Sequence, residues 1–185
     1  MNGPVCLNTA ELRRAAPALR AGDRVLLSGT VYTARDAAHK RLFALLDGGE
    51  PLPFDLRGAV IYYAGPTPGQ KGMAVGACGP TTSGRMDVFA PRLLDLGLAA
   101  MIGKGDRSLE VREAMVRGGA VYFAAVGGAG ALIARHIEAA QVIAFEDLGC
   151  ESVKRMTVKD LPLIVAIDSM GNDLYETGRA VYAGN

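Results

Sequence analysis

The sequence predicts a layered α/β domain with a mixed sheet, and three observations carry that prediction. Short apolar runs of strand length alternate with stretches at helical spacing through the middle of the chain. Both ends are richer in strand-like segments than in helices. Glycine pairs and Gly-Pro steps punctuate the joints. Alternation of this kind lays helices on a largely parallel sheet, and strand-rich ends add antiparallel partners.

Residues 9–20 open with Thr9-Ala10-Glu11, a threonine cap followed by apolar positions at helical spacing, and stop near Ala21-Gly22-Asp23. Residues 24–30 are short and apolar at the centre, which predicts a buried strand. Residues 35–46 carry Ala38, Leu42, Leu45 and Leu46 on one helical face, closed by Asp47-Gly48-Gly49. Residues 52–58 read as a loop, and residues 59–64 as a strand ended by Gly65-Pro66-Thr67-Pro68-Gly69. Residues 73–78, too short and glycine-rich for a helix, predict another strand. A helix over 88–96 ends at Gly97. Strand 98–102, helix 108–117, strand 120–126 and helix 129–139 continue the alternation. In the tail, 141–145 and 163–168 are strand-like, with a short stretch at 153–158 between them and no clear long helix. With no internal repeat, low-complexity tract or linker, one domain over 1–185 is expected.

Composition narrows the function classes. Half of the chain is hydrophobic, yet charges interrupt every apolar stretch well before the roughly 18 residues that a membrane helix needs. The start, Met1 to Cys6, has no basic residues and no long apolar run, so no secretory signal is read there and a cytoplasmic location is expected. Lys and Arg number 20 against 19 Asp and Glu, a net charge of +1, which gives little long-range pull on nucleic acid or anionic membrane. Tryptophan is absent and aromatics are 6%, which weakens base stacking as well. Cys6, Cys78 and Cys150 lie far apart without CxxC or Cys/His spacing, so they signal neither a disulfide framework nor a zinc site. They read as small hydrophobes in a reducing compartment, and the clustered spacing usual for iron–sulfur ligands is missing.

Chemistry concentrates in two segments, Ser28-Gly29-Thr30-Val31-Tyr32-Thr33-Ala34-Arg35-Asp36 and Gly79-Pro80-Thr81-Thr82-Ser83-Gly84-Arg85-Met86-Asp87. Each follows a predicted strand and leads into a predicted helix, a junction where backbone N–H groups, hydroxyls and a guanidinium suit a carboxylate or phosphate. Arg35 either grips such an anion or pairs with Asp36 or a nearby carbonyl. His39, one turn on, faces the same side but shows no partner for acid–base work. Thr81, Thr82, Ser83 and Arg85 form the denser cluster, with Gly79 and Gly84 allowing close approach and Pro80 stiffening the turn, unless they only cap a helix. Gly103-Lys104-Gly105 lacks the glycine spacing and following Ser/Thr of a phosphate loop, so Lys104 reads as one cation at the carboxyl edge of a sheet. Gly127-Gly128-Ala129-Gly130 breaks the dinucleotide fingerprint and reads as tight strand–helix packing.

Taken together, residues 27–41, Tyr63-Ala64-Gly65-Pro66-Thr67-Pro68, Gly79 to Asp87 and Ile102-Gly103-Lys104-Gly105 resemble the β subunit, or C-terminal domain, of class I iron–sulfur fumarate hydratases. Residues 124–129, Phe145-Glu146-Asp147-Leu148-Gly149 and 163–168 continue the match, which runs from about Asp23 to Tyr182. The resemblance implies a swivelling β/β/α domain that closes over a 4Fe–4S cluster held by three cysteines of a separate α subunit. It also implies a dicarboxylate substrate, with Arg35 and Arg85 as carboxylate-binding arginines, Thr81 as a group serving in proton transfer at carbon, and Lys104 as a lysine of the same site; Thr81, Arg85 and Lys104 are expected to be catalytic, and Arg35, Thr81, Arg85 and Lys104 to bind substrate. Tartrate dehydratases share the frame, and Ala34 to His39 and Ser83 to Asp87 look closer to fumarases, which favours fumarate over tartrate or mesaconate. The chain lacks a complete catalytic apparatus, so a dicarboxylate-binding or assembly module without chemistry of its own stands as the alternative class. Taken alone, the chain is expected to form a homo-oligomer.

Overall fold

A computed structural model describes residues 3–182; Met1, Asn2 and 183–185, which the expected domain includes, lie outside the described residues. In chain order the elements are β1 (Val5–Asn8), α1 (Leu12–Ala15) between two single 3-10 turns, β2 (Arg24–Thr33), α2 (Asp36–Asp47), β3 (Val60–Tyr62), a 3-10 turn at Ser83–Met86, and α3 (Ala90–Asp95). Then come β4 (Ala100–Gly103), α4 (Leu109–Gly118), β5 (Val121–Ala124), α5 (Gly130–Ala134), β6 (Ile137–Ala144), a 3-10 segment at Glu146–Glu151, β7 (Val153–Ile167) and α6 (Leu174–Tyr182). The α/β class and the mixed sheet of the sequence reading are both present.

Strands β1 to β5 run parallel, and β7 is antiparallel to β2, β5 and β6. Because β7 pairs with β5 and also back with β2, the cycle β2–β3–β4–β5–β7 closes on itself. Closure leaves these strands without free edges along the cycle. Successive residues serve opposite faces: Tyr62, Ile102 and Phe123 join a core with Val25, Leu27, Val31 and Val165, drawn from all five strands of the ring. Their neighbours Ile61, Met101 and Tyr122 join a second core with Ala38 and Leu42 of α2, Leu93 of α3 and Met115 of α4. Burial on both faces is why these strands read as continuous apolar runs rather than as alternation.

Four expectations are corrected. Residues 73–78 are irregular, because Thr67 and Gly76 fold the segment back on itself through Gly76 N–H to Thr67 O and Thr67 N–H to Ala77 O. The helix read at 129–139 stops at Ala134, and Ile137 already pairs with Val158 in β6–β7. The segments at 153–158 and 163–168 are mostly one fifteen-residue strand, β7. It passes through a bulge where Asp160 takes a φ of +49° and its N–H donates to Ser28 Oγ. Residues 9–20 are helical only in short pieces, α1 and the 3-10 turns on either side of it, and Asn8 rather than Thr9 caps the first, while Thr9 Oγ1 accepts the N–H of Thr30 in β2. Strand β1 and helix α6 had no counterpart in the sequence reading.

Candidate functional site

The carboxyl ends of the parallel strands meet at one end of the closed ring, the end of the strands where α/β folds place ligands. Thr33 ends β2 and is followed by Ala34 and Arg35, and Tyr62 ends β3 ahead of Tyr63-Ala64-Gly65. Gly103 ends β4 and is followed by Lys104, and Ala124 ends β5 ahead of Gly127. The second Gly/Thr/Arg segment crosses this end: Pro80 bridges Ala64, Thr81 N–H donates to Tyr63 O at 2.7 Å, Thr82 bridges Lys104, and Ser83 N–H donates to Lys104 O at 2.9 Å. Arg35, Thr81, Arg85 and Lys104, distant in sequence, are thereby gathered at one place.

The first junction differs from its sequence reading. Arg35 is extended and precedes α2, but the free N–H of Ala37 is taken by Glu151 Oε2 at 3.1 Å, so the helix start already holds a carboxylate. Glu151 Oε1 also lies 3.5 Å from an Arg35 terminal nitrogen. Arg35 Nε is buried without a hydrogen-bond partner, with Asp36 Oδ2 at 3.7 Å. Gly65 makes room for this guanidinium, since a Cβ there would stand 3.2 Å from Arg35 Cδ and from Nη1. At the second junction no α-helix begins; a 3-10 turn holds Arg85, whose Nε donates to Asp36 Oδ1 at 2.9 Å, while Nη2 lies 2.7 Å from Oδ2. Both arginines therefore lean on Asp36.

Beneath the turn lies a buried polar network. Ser83 Oγ accepts the Tyr122 phenol at 2.8 Å and the Lys104 N–H at 3.1 Å, and Tyr122 is also 2.9 Å from Gly105 O. Burial pushes the Tyr122 phenol up, so it stays a neutral donor. Arg107, fully buried at its side chain, donates from Nε to Asp87 Oδ1 at 2.7 Å and sits over the rings of Tyr63 and Tyr122. His39 is buried, stacked on Phe89 and edge-on to Tyr63. Its Nδ1 is 3.0 Å from Arg35 O, which makes Nδ1 the protonated nitrogen and leaves Nε2 buried without a partner. Burial holds its pKa down at about 4. His39 thus lies under this end, supporting the turn that carries Arg35.

Lys104 is exposed, with its stem beside Gly127, where a Cβ would be 3.7 Å from Cδ. The glycine-rich 127–130 segment packs closely as expected, but against the 78–79 backbone: a Cβ on Gly130 would be 3.0 Å from Gly79 N. Among the described residues no three His, Cys, Asp or Glu side chains converge as a metal site. Cys6 and Cys150 are exposed on β1 and the 3-10 segment, whereas Cys78 is buried in the ring core. These residues do not fit a cluster as its ligand set. Sequence reasoning missed Glu151, Tyr122 and Arg107, which lie in no motif it named, and gave no role of its own to Asp87, the last residue of the second segment. Among the described residues no helix is long and apolar enough to cross a membrane.

The family model described as "Fumarase C-terminus" matches residues 2–178. Fumarate hydratase 2 of Leishmania major is 40% identical over 156 residues, 83% of this chain and 28% of that protein. The aerobic class I fumarate hydratase of Escherichia coli K12 is 37% identical over 155 residues, again 83% and 28%. The putative L(+)-tartrate dehydratase subunit beta of Methanocaldococcus jannaschii is 40% identical over 164 residues, 85% of this chain and 84% of that subunit. The chain therefore spans little more than a quarter of the length of these fumarate hydratases and most of the length of the archaeal subunit.

Proposed function

The chain belongs to the fumarase C-terminus family of hydro-lyases, and on that premise we propose that it is the β half of an iron–sulfur hydro-lyase that reversibly hydrates fumarate to malate together with a cluster-bearing α subunit. The observation that carries the reading is the gathering of Arg35, Thr81, Arg85 and Lys104 at one end of the sheet over a rigid polar network. The archaeal relative, matched over 84% of its length and named as a subunit, supports a separate α partner. In this reading the domain swivels over that partner in the cytoplasm.

The partner's 4Fe–4S cluster, held by three of its cysteines, would supply a Lewis acid for the substrate hydroxyl. This chain's residues do the rest. Arg35 and Arg85 bind the two carboxylates and fix the dicarboxylate in one orientation. Removing a proton from carbon builds negative charge on the adjacent carboxylate, which the guanidinium contacts and the Lys104 ammonium stabilise. Thr81 Oγ1 carries the proton to or from that carbon, and because a free hydroxyl is a poor base, a group of the partner activates it.

The tartrate dehydratase relative, at the same 40% identity as the Leishmania protein, favours a second reading with tartrate as substrate. Reconstitution with the α subunit separates them: hydration of fumarate is expected to exceed dehydration of L(+)-tartrate and hydration of mesaconate, and to require both chains. A complex that binds dicarboxylates and converts none of the three would make this chain a binding or assembly module instead.

A further inference from the structure

A guanidinium can take a carboxylate two-pronged along either of two edges, Nε with one terminal nitrogen or the two terminal nitrogens together. Arg85 has its inner edge on Asp36, with Nε donating to Oδ1 at 2.9 Å and Nη2 in ion-pair contact with Oδ2 at 2.7 Å, where Oδ2 accepts no hydrogen bond. Its outer edge pairs with no carboxylate among the described residues, and the side chain is 52% exposed. Asp36 cannot easily follow a moving partner. It opens α2, whose next N–H is held by Glu151, and its Oδ2 is buried between Arg85 and Arg35 Nε. A negative charge there also lets two like-charged guanidinium groups share one side of the site, which they would otherwise resist.

Resting on the hydro-lyase reading, we propose that Asp36 is a positioning residue: it occupies the inner edge of Arg85 so that the outer edge meets the substrate carboxylate. It is therefore neither a simple surface ion pair nor a carboxylate that competes with substrate for Arg85. The three roles predict different kinetics. A surface pair contributes little to rate, a competitor weakens substrate binding, and a positioning residue matters only while Arg85 has an edge to aim.

The test is Asp36→Asn, which keeps the size and removes the charge, assayed with malate and fumarate in the complex with the α subunit. We expect kcat/KM to fall about tenfold or more in the wild-type background, and less than about twofold when the same change is made in Arg85→Lys. Equal losses in both backgrounds, or a lower KM in Asp36→Asn, would overturn the proposal. A second readout needs no turnover. In the isolated chain the Arg85 Nε–H resonance should exchange slowly with water, speed up in Asp36→Asn, and shift in the wild type when malate is added. Rapid exchange in the wild type, or no shift with malate, would also overturn it. If the resonance behaves as expected but the wild-type complex converts none of fumarate, L(+)-tartrate and mesaconate, the hydro-lyase reading fails and the role of Asp36 toward a bound carboxylate stands.

Discussion

A Cβ added at Gly103 would lie 1.9 Å from the Ser83 Oγ, so no side chain fits where the last residue of β4 meets the turn carrying Thr81 and Arg85. The contact is a seam of the candidate site: Ser83 Oγ accepts from Tyr122 and from the Lys104 N–H, and Ser83 N–H donates to Lys104 O. Gly103→Ala is expected to cost about 1–3 kcal/mol through overpacking. That corresponds to a fall in Tm of roughly 2–4 °C per kcal/mol for a chain of this size. In combination with Ser83→Gly the loss should be smaller than the sum of the two single changes, as read by calorimetry. An unchanged Tm for Gly103→Ala would mean that the seam is not tight.

His39 gives the fold a defined acid sensitivity. Its pKa is held down at about 4 by burial, against 6.5 in the unfolded chain, so between these values the unfolded state binds the extra proton. Stability contributed by keeping His39 neutral is complete above about pH 6.5, falls as pH drops through that window, and is level again below about 4. At pH 5 the loss relative to pH 7 is about 2 kcal/mol. Urea unfolding at the two pH values should show this extra loss in the wild type and not in His39→Phe, which keeps the stacking on Phe89. Equal pH dependence in both proteins would show that His39 is protonated without penalty.

Thr81 is fixed by its main chain, through the bond to Tyr63 O, and so its hydroxyl can be removed without releasing the turn. Thr81→Ala should lower kcat about a hundredfold or more in the reconstituted complex, in the range of a lost proton-transfer group, with Tm and cluster content kept. Thr81→Ser should restore part of it. Near-normal turnover in Thr81→Ala would remove the proton-transfer role.

Much of this arrangement was legible in the sequence because it follows from strand ends. Arg35, Thr81, Arg85 and Lys104 each come soon after an apolar run or a glycine turn, and two of the three runs that precede them, those leading to Thr33 and Gly103, are strands, while 73–78 is irregular. What stayed hidden depends on tertiary closure. Arg85 finds Asp36 across 49 residues and Ala37 finds Glu151 across 114, distances at which no periodicity operates. The helix read past Ala134 failed because Ile137, Glu138, Ala139 and Ala140 suit a helix locally and are claimed by pairing with β7. The break in β7 misled for a related reason: Lys159, Asp160 and Pro162 look like a turn, yet the bulge opposite Ser28 carries the strand through.

The most direct measurement is steady-state kinetics of Arg35→Lys and Arg85→Lys in complex with the α subunit, at equal cluster content. Lysine keeps the charge and loses the two-pronged geometry, so each change should cost on the order of 2 kcal/mol, roughly thirtyfold in kcat/KM. A loss confined to KM would assign that arginine to uniform substrate binding, and a matching fall in kcat and kcat/KM would place its contact in the transition state. If neither parameter moves for either variant, the end of the sheet that gathers these arginines is not the dicarboxylate site.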